Sequence, residues 1–185
     1  GNLDVSNSMF RNSQQGILSG TDPSATIRID RSTFSGLGLC ASDCAHSIYV
    51  GRYAALEITR SRFERGTGGH YIKSRAPRVT VSDSSFDDTA GQATNYMIDL
   101  PAGARGMIAN NIFVQGENKE NWSAFVAVSA EGQDNPSAGL VIRDNEASLA
   151  PGVDRNTFFV ADWSGDALQI ASNDLGSGIS VFDRR

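Results

Sequence analysis

Apolar and polar residues alternate in short runs that recur along the whole chain. The first run is Leu3-Asp-Val-Ser-Asn-Ser-Met-Phe10, followed by Ile27-Arg-Ile-Asp-Arg-Ser-Thr-Phe34, Leu56-Glu-Ile-Thr-Arg-Ser-Arg-Phe63 and Val79-Thr-Val-Ser-Asp-Ser-Ser-Phe86. Three drifted copies follow: Gly106-Met-Ile-Ala-Asn-Asn-Ile-Phe113, Leu140-Val-Ile-Arg-Asp-Asn-Glu-Ala147 and Leu168-Gln-Ile-Ala-Ser-Asn-Asp-Leu175. They start 23 to 34 residues apart, the spacing of stacked repeat units. Within each octet, apolar first and third positions flank a polar second one, the period of a strand with one buried face. The sixth position is Ser in the first four copies and Asn in the last three, a polar column suited to bridging coils at a bend. The eighth is Phe10, Phe34, Phe63, Phe86 and Phe113, then Ala147 and Leu175, which predicts an internal aromatic stack. A second strand follows each octet after a loop of variable length: around Ile17, Ile48, Ile72, Ile98, Phe125 to Ser129, Phe158 to Ala161, and Ile179 to Val181. A helix is excluded, because the apolar spacing is two and Ser, Asn and Gly interrupt too often. The pattern predicts one all-β domain over residues 1–185, a right-handed parallel β-helix of about seven coils.

Composition narrows the function. No apolar run approaches the roughly 20 residues of a membrane-spanning helix. The net charge of −5 argues against general nucleic-acid binding. That charge is uneven: from His46 to Arg78, seven basic residues meet only Glu57 and Glu64, so this stretch is +5 and the remainder −10. A basic island in an acidic protein can attract an anionic ligand locally. The opening Gly1-Asn2-Leu3 reads as a processed or excised piece of a longer protein, whose targeting segment would lie upstream.

Stacking coils about 4.8 Å apart turns equivalent residues into columns. Aligning the second strands puts Ile48, Ile72 and Ile98 inward and Tyr49, Lys73 and Asp99 outward to solvent, with Gly51, Arg75 and Pro101 beside them. His46, His70 and Tyr96 form a further column just upstream, and these are the chain's only two His. An exposed Lys73–Asp99 pair alone would be an ordinary surface contact worth little. The convergence of His, Tyr, Lys, Arg and Asp on three adjacent rungs points instead to proton transfer.

The seven units resemble those of the pectate-lyase-like superfamily of parallel β-helix proteins, over nearly the whole chain. The strings His46-Ser-Ile-Tyr-Val-Gly51, Gly69-His-Tyr-Ile-Lys-Ser-Arg-Ala76 and Ile98-Asp-Leu-Pro-Ala-Gly103 resemble a motif of bacterial β-helix repeat proteins. The arrangement is also similar to the lyases of the alginate lyase and chondroitinase B group. Those carry a Lys base and an Arg on the solvent face of one sheet, with carboxylates holding Ca²⁺. Lys73 and Arg75 match by type but share one strand, whereas the lyases draw the pair from different coils.

The resemblance implies an exported protein (secreted, periplasmic or at the cell surface) that acts on an acidic polysaccharide by β-elimination or C5 epimerisation. In that scheme Arg75 or Arg52 neutralises a uronate carboxylate and Lys73, its pKa lowered by neighbouring cations, abstracts the C5 proton. His70, His46 or Tyr49 then returns a proton. Asp99 either orients Lys73 or ligates a hard cation such as Ca²⁺, with help from Glu131. Hydrolysis is the lesser reading, because it needs a carboxylate pair and the columns offer only Asp99, with Glu131 and Asp162 far along the stack. The alternative from another class is a non-catalytic glycan-binding or structural module. Cys40 and Cys44 read either as a disulfide, as two thiols, or with His46 as a zinc set short of a fourth ligand. Trp122, ending a long polar loop, either stacks on sugar faces or covers the end of a core.

Overall fold

A computed structural model describes residues 1–40 and 44–185; the middle of the Cys40–Cys44 run lies outside them. The chain winds into a parallel solenoid of three seven-stranded sheets and about six full turns from first rung to last. Among the described residues all the ladders between coils are parallel, and a single antiparallel pair, Leu39–Cys40 with Cys44–Ala45, sits in the loop of the second coil. No helix among the described residues is long and apolar enough to cross a membrane.

Each octet holds two strands rather than one. Leu3–Ser6 belongs to the first sheet and Met9–Ser13 to the second, and this break recurs in every coil. The fifth residue of the octet makes the corner. Asn7, Arg31, Arg60, Asp83, Asn110, Asp144 and Ser172 all have φ between 46° and 56°. Asn and Asp tolerate this left-handed conformation, whereas Arg and Ser adopt it against their own preference. The neighbouring coils hold it in place through the sixth residue. The N–H groups of Ser8, Ser32 and Ser61 donate to the hydroxyls of Ser32, Ser61 and Ser84 in the next coil, at 3.0 to 3.2 Å. The ladder continues through Asn111, Asn145 and Asn173.

The third sheet carries the strands expected after each octet, in register Ile17, Ile48, Ile72, Ile98, Val126, Val160 and Phe182. Inside the solenoid Phe10, Phe34, Phe63, Phe86 and Phe113 stack face to face, with centroids 4.8 to 5.0 Å apart and planes within 12°. Where the column shrinks to Ala147, Phe159 from the third sheet leans in, 5.6 Å from Phe113 and nearly perpendicular to it. Burying such rings is the main drive for coil stacking.

Candidate functional site

Alternation along the third sheet sends Ile48, Ile72 and Ile98 into the core and Tyr49, Lys73 and Asp99 out of the coil in one row. The row does not meet open solvent. Lys73 is 8% exposed and Asp99 2%, because a loop of the fifth coil folds back over them. That loop is fixed on the fourth coil: the N–H groups of Ser129, Glu131 and Asn135 donate to the carbonyls of Leu100, Pro101 and Ala102, each at 2.9 Å. From there Glu131 reaches the third coil and Asp134 the second.

Four charged groups then meet. Lys73 Nζ lies 3.2 Å from Asp99 Oδ2 and 2.5 Å from Glu131 Oε1. The other Glu131 oxygen accepts a hydrogen bond from Arg75 Nη2. Arg75 Nε donates to the Tyr49 hydroxyl at 2.9 Å, and Lys73 Nζ sits 5.9 Å from the Tyr49 ring centre. Arg52 pairs with Asp134 at 2.8 Å.

The upstream column stacks as expected. The His46 and His70 rings lie 4.9 Å apart, and Tyr96 follows at 5.6 Å, nearly parallel to His70. His46 Nδ1 accepts the His70 backbone N–H at 3.1 Å, which assigns the ring proton of neutral His46 to Nε2. Gly69 makes this approach feasible: at φ +61° a side chain there would be strained, and its Cβ would meet the Ala45 carbonyl at 2.1 Å and His46 Nδ1 at 2.6 Å. His70 Nε2 faces Asp99 Oδ2 at 3.3 Å. Two buried atoms of the cluster, His70 Nδ1 and Asp99 Oδ1, make no hydrogen bond.

Burial and charge set the protonation states. Burial lowers the His46 pKa to about 4, with the Lys73 charge adding to the effect. Burial also holds His70 well below the usual imidazole range, reinforced by His46 and Lys73. Both imidazoles are therefore neutral at pH 7. Burial raises Asp99 to about 6, against the pull of Lys73. Partial burial works against ionised Glu131, but its contacts with Lys73 and Arg75 keep it below the usual carboxylate range.

Lys73 differs from the expectation of a lowered pKa. Burial does disfavour its charge, yet Asp99 and Glu131 outweigh that and hold the pKa above the ordinary lysine value. In this arrangement Lys73 is an ammonium rather than a base. Removing the ammonium, as in Lys73→Met, would strand Asp99 as a buried carboxylate.

The donor set at Asp99 does not fit Ca²⁺. Its Oδ2 faces Lys73 and His70, so an ammonium stands where a cation would bind. Among the described residues the one grouping with ligand spacing is Cys40, Cys44 and Glu120, and both its sulfurs are joined in a Cys40–Cys44 disulfide, which also removes the zinc reading.

Of the remaining candidates, Trp122 does not cover the core. It is 48% exposed, with the Arg155 guanidinium 5.6 Å from its ring centre, and stands apart from the Lys73 cluster. Asp162 faces inward beside Val128, bound by Ser164 and Arg184. Glu131, by contrast, arrives beside Asp99, so a carboxylate pair exists after all, with Lys73 between its members.

Sequence reasoning missed a second charged cluster. Asp88 is fully buried and accepts hydrogen bonds from Tyr71, Thr94, Lys119 and the Gly116 N–H. It ties three loops together and is saturated with donors. No periodic signal could have found it, because Asp88 and Lys119 occupy loops of different length.

No curated protein and no solved structure matches the chain. A family model does: the right handed beta helix region matches residues 1–175, nearly the whole chain and the coils described above. On that match and on its three parallel sheets, the chain belongs to the right-handed beta helix family.

Proposed function

We propose that this β-helix protein binds an acidic polysaccharide along the outer face of its third sheet, recognising uronate carboxylates with Lys73 and Arg75. The observation that carries this reading is the grip on Glu131. An ammonium and a guanidinium converge on the two oxygens of one carboxylate, and Tyr49 steadies the guanidinium from behind. A site that holds its own carboxylate in this way suits the same group on a ligand. The exported location inferred from the disulfide, in the extracellular or periplasmic space, is where such polymers occur.

β-elimination or C5 epimerisation is the second reading, and one observation favours it. Asp99, whose pKa burial raises to about 6, holds one carboxylate oxygen 3.2 Å from Lys73 Nζ and 3.3 Å from His70 Nε2, beside the carboxylate-binding groups. In this scheme Asp99, rather than Lys73, takes the C5 proton once the Glu131 side chain swings aside, and Lys73 and Arg75 stabilise the charge that develops on the uronate carboxylate.

Calorimetry and a product screen with galacturonate, mannuronate and glucuronate polymers test both readings. Wild type should bind at least one polymer, and Arg75→Ala should bind it more weakly, with a difference that shrinks as salt rises. Unsaturated or epimerised products that vanish in Asp99→Asn would establish the catalytic reading. Binding without products would leave a recognition module, and equal binding by Arg75→Ala would place recognition elsewhere.

A further inference from the structure

The loop that covers the site carries two acids, and each lands on an arginine of the basic stretch. Glu131 engages Arg75 and Lys73 on the third coil, and Asp134 engages Arg52 on the second. The two contacts thus lie one coil apart along the solenoid axis. Asn135 adds a neutral tie, its Nδ2 donating to the carbonyls of Gly103 at 3.0 Å and Arg75 at 3.4 Å. We propose that this loop is an autoinhibitory mimic of the acidic ligand, its Glu131 and Asp134 carboxylates standing where successive carboxylates of the polymer bind.

The loop is built for exchange of side chains rather than for opening. Its backbone is pinned to residues 100–102 by three main-chain bonds, none of which involves Arg52, Lys73 or Arg75. Of the loop's side chains, only the two acids touch the charged groups of Arg52, Lys73 and Arg75; Asn135 meets the Arg75 main chain and Gln133 meets Asp166 of the sixth coil. Glu131 remains 43% exposed and the Asp134 side chain 53%, so water and solutes reach both carboxylates. Rotation of each side chain would free its cation while the loop stays in place. A tethered competitor of this kind lowers the apparent affinity for a free ligand by the fraction of time the site is open. It also keeps monovalent anions off the site, because a single carboxylate must displace an intramolecular one. A polymer that offers several carboxylates can displace both at once.

This inference rests on the acidic-ligand reading above, and the experiment separates the two. Oligomers of galacturonate, mannuronate and glucuronate are titrated, each alone, into wild type, Glu131→Gln, Glu131→Gln/Asp134→Asn and Glu131→Gln/Arg75→Ala. The amides keep the size of the acids and their hydrogen-bonding oxygen, and circular dichroism and melting temperature check the fold. For an oligomer that wild type binds, the Kd should fall about tenfold in Glu131→Gln, as for a site open a tenth of the time, and further in the double amide variant. The gain should disappear in Glu131→Gln/Arg75→Ala. Equal or weaker binding by folded Glu131→Gln would overturn the inference and leave the acidic-ligand reading intact. A gain that survives Arg75→Ala would also overturn it. If no oligomer binds wild type or either amide variant, both fail together.

Discussion

A single side-chain oxygen per coil decides whether the corner between the first two sheets can be buried. Ser61 illustrates this. Its hydroxyl accepts the Ser32 N–H at 3.2 Å and donates to the Thr59 carbonyl at 2.8 Å, while its own N–H reaches the Ser84 hydroxyl. From the fifth coil the same post is held by Asn, whose amide donates instead to a carbonyl of the coil before, as Asn111 does to Val81 and Asn145 to Ile108. Ser and Asn are therefore two solutions to one requirement, an acceptor facing back and a donor to silence a buried carbonyl. Ser61→Ala should cost about 1–3 kcal/mol, because it strands the buried Ser32 N–H. Ser61→Asn should cost clearly less, since the geometry recurs in later coils. Urea denaturation of the two variants checks this, and equal losses would mean the acceptor is unimportant.

At the scale of elements, the outer row of the third sheet is where burial and charge collide. The His46 and His70 rings are pressed together and neutral, and that neutrality couples stability to pH. His46 has a folded pKa of about 4 against 6.5 when exposed. Its contribution is thus fully present above pH 6.5 and is lost as pH falls toward 4, where the unfolded chain binds the proton first. His70 acts in the same direction. Asp99 opposes them: its folded pKa of about 6 exceeds its exposed value of 3.8, so its contribution is greatest at low pH and lost as pH rises through 6. Two imidazoles against one carboxyl should leave a net loss of stability between pH 6.5 and 4.5. Below 4.5 Glu131, with its lowered pKa, adds to that loss. In His46→Phe, which keeps a ring in the column but cannot take a proton, the urea midpoint should fall less steeply over this range. An unchanged slope would show that His46 is not the coupled group.

The whole molecule shows which of its features a sequence can carry. The Phe10 to Phe113 stack, the Ser and Asn corner and the inward Ile48, Ile72 and Ile98 were legible because each is a property of the repeat, written again in every coil. The stacking of His46 on His70 was legible for the same reason. The split of each octet into two sheets was not, since left-handed Arg31, Arg60 and Ser172 look like ordinary polar residues until their neighbours fix them. The protonation of Lys73 was hidden too, because it depends on Glu131 of a fifth-coil loop as well as on Asp99. The basic stretch proves largely neutralised from elsewhere: Arg52, Arg60, Lys73 and Arg75 all pair with acids of other coils. Asp30 and Asp99 lie in strands of the repeat, but Glu131 and Asp134 come from a loop, and loops do not repeat.

The central claim is that the outer face of the third sheet recognises carboxylates, and it can be put to one measurement. The polyuronate that binds best is compared with the same polymer after chemical reduction of its carboxyl groups to primary alcohols. This keeps the sugar backbone and its hydroxyls while removing the charge. Calorimetric titration should show that wild type binds the acidic polymer and loses most of that affinity for the reduced one. Equal affinity for the two polymers would contradict the account, since a site built from Lys73, Arg75 and Tyr49 has no reason to hold an uncharged chain.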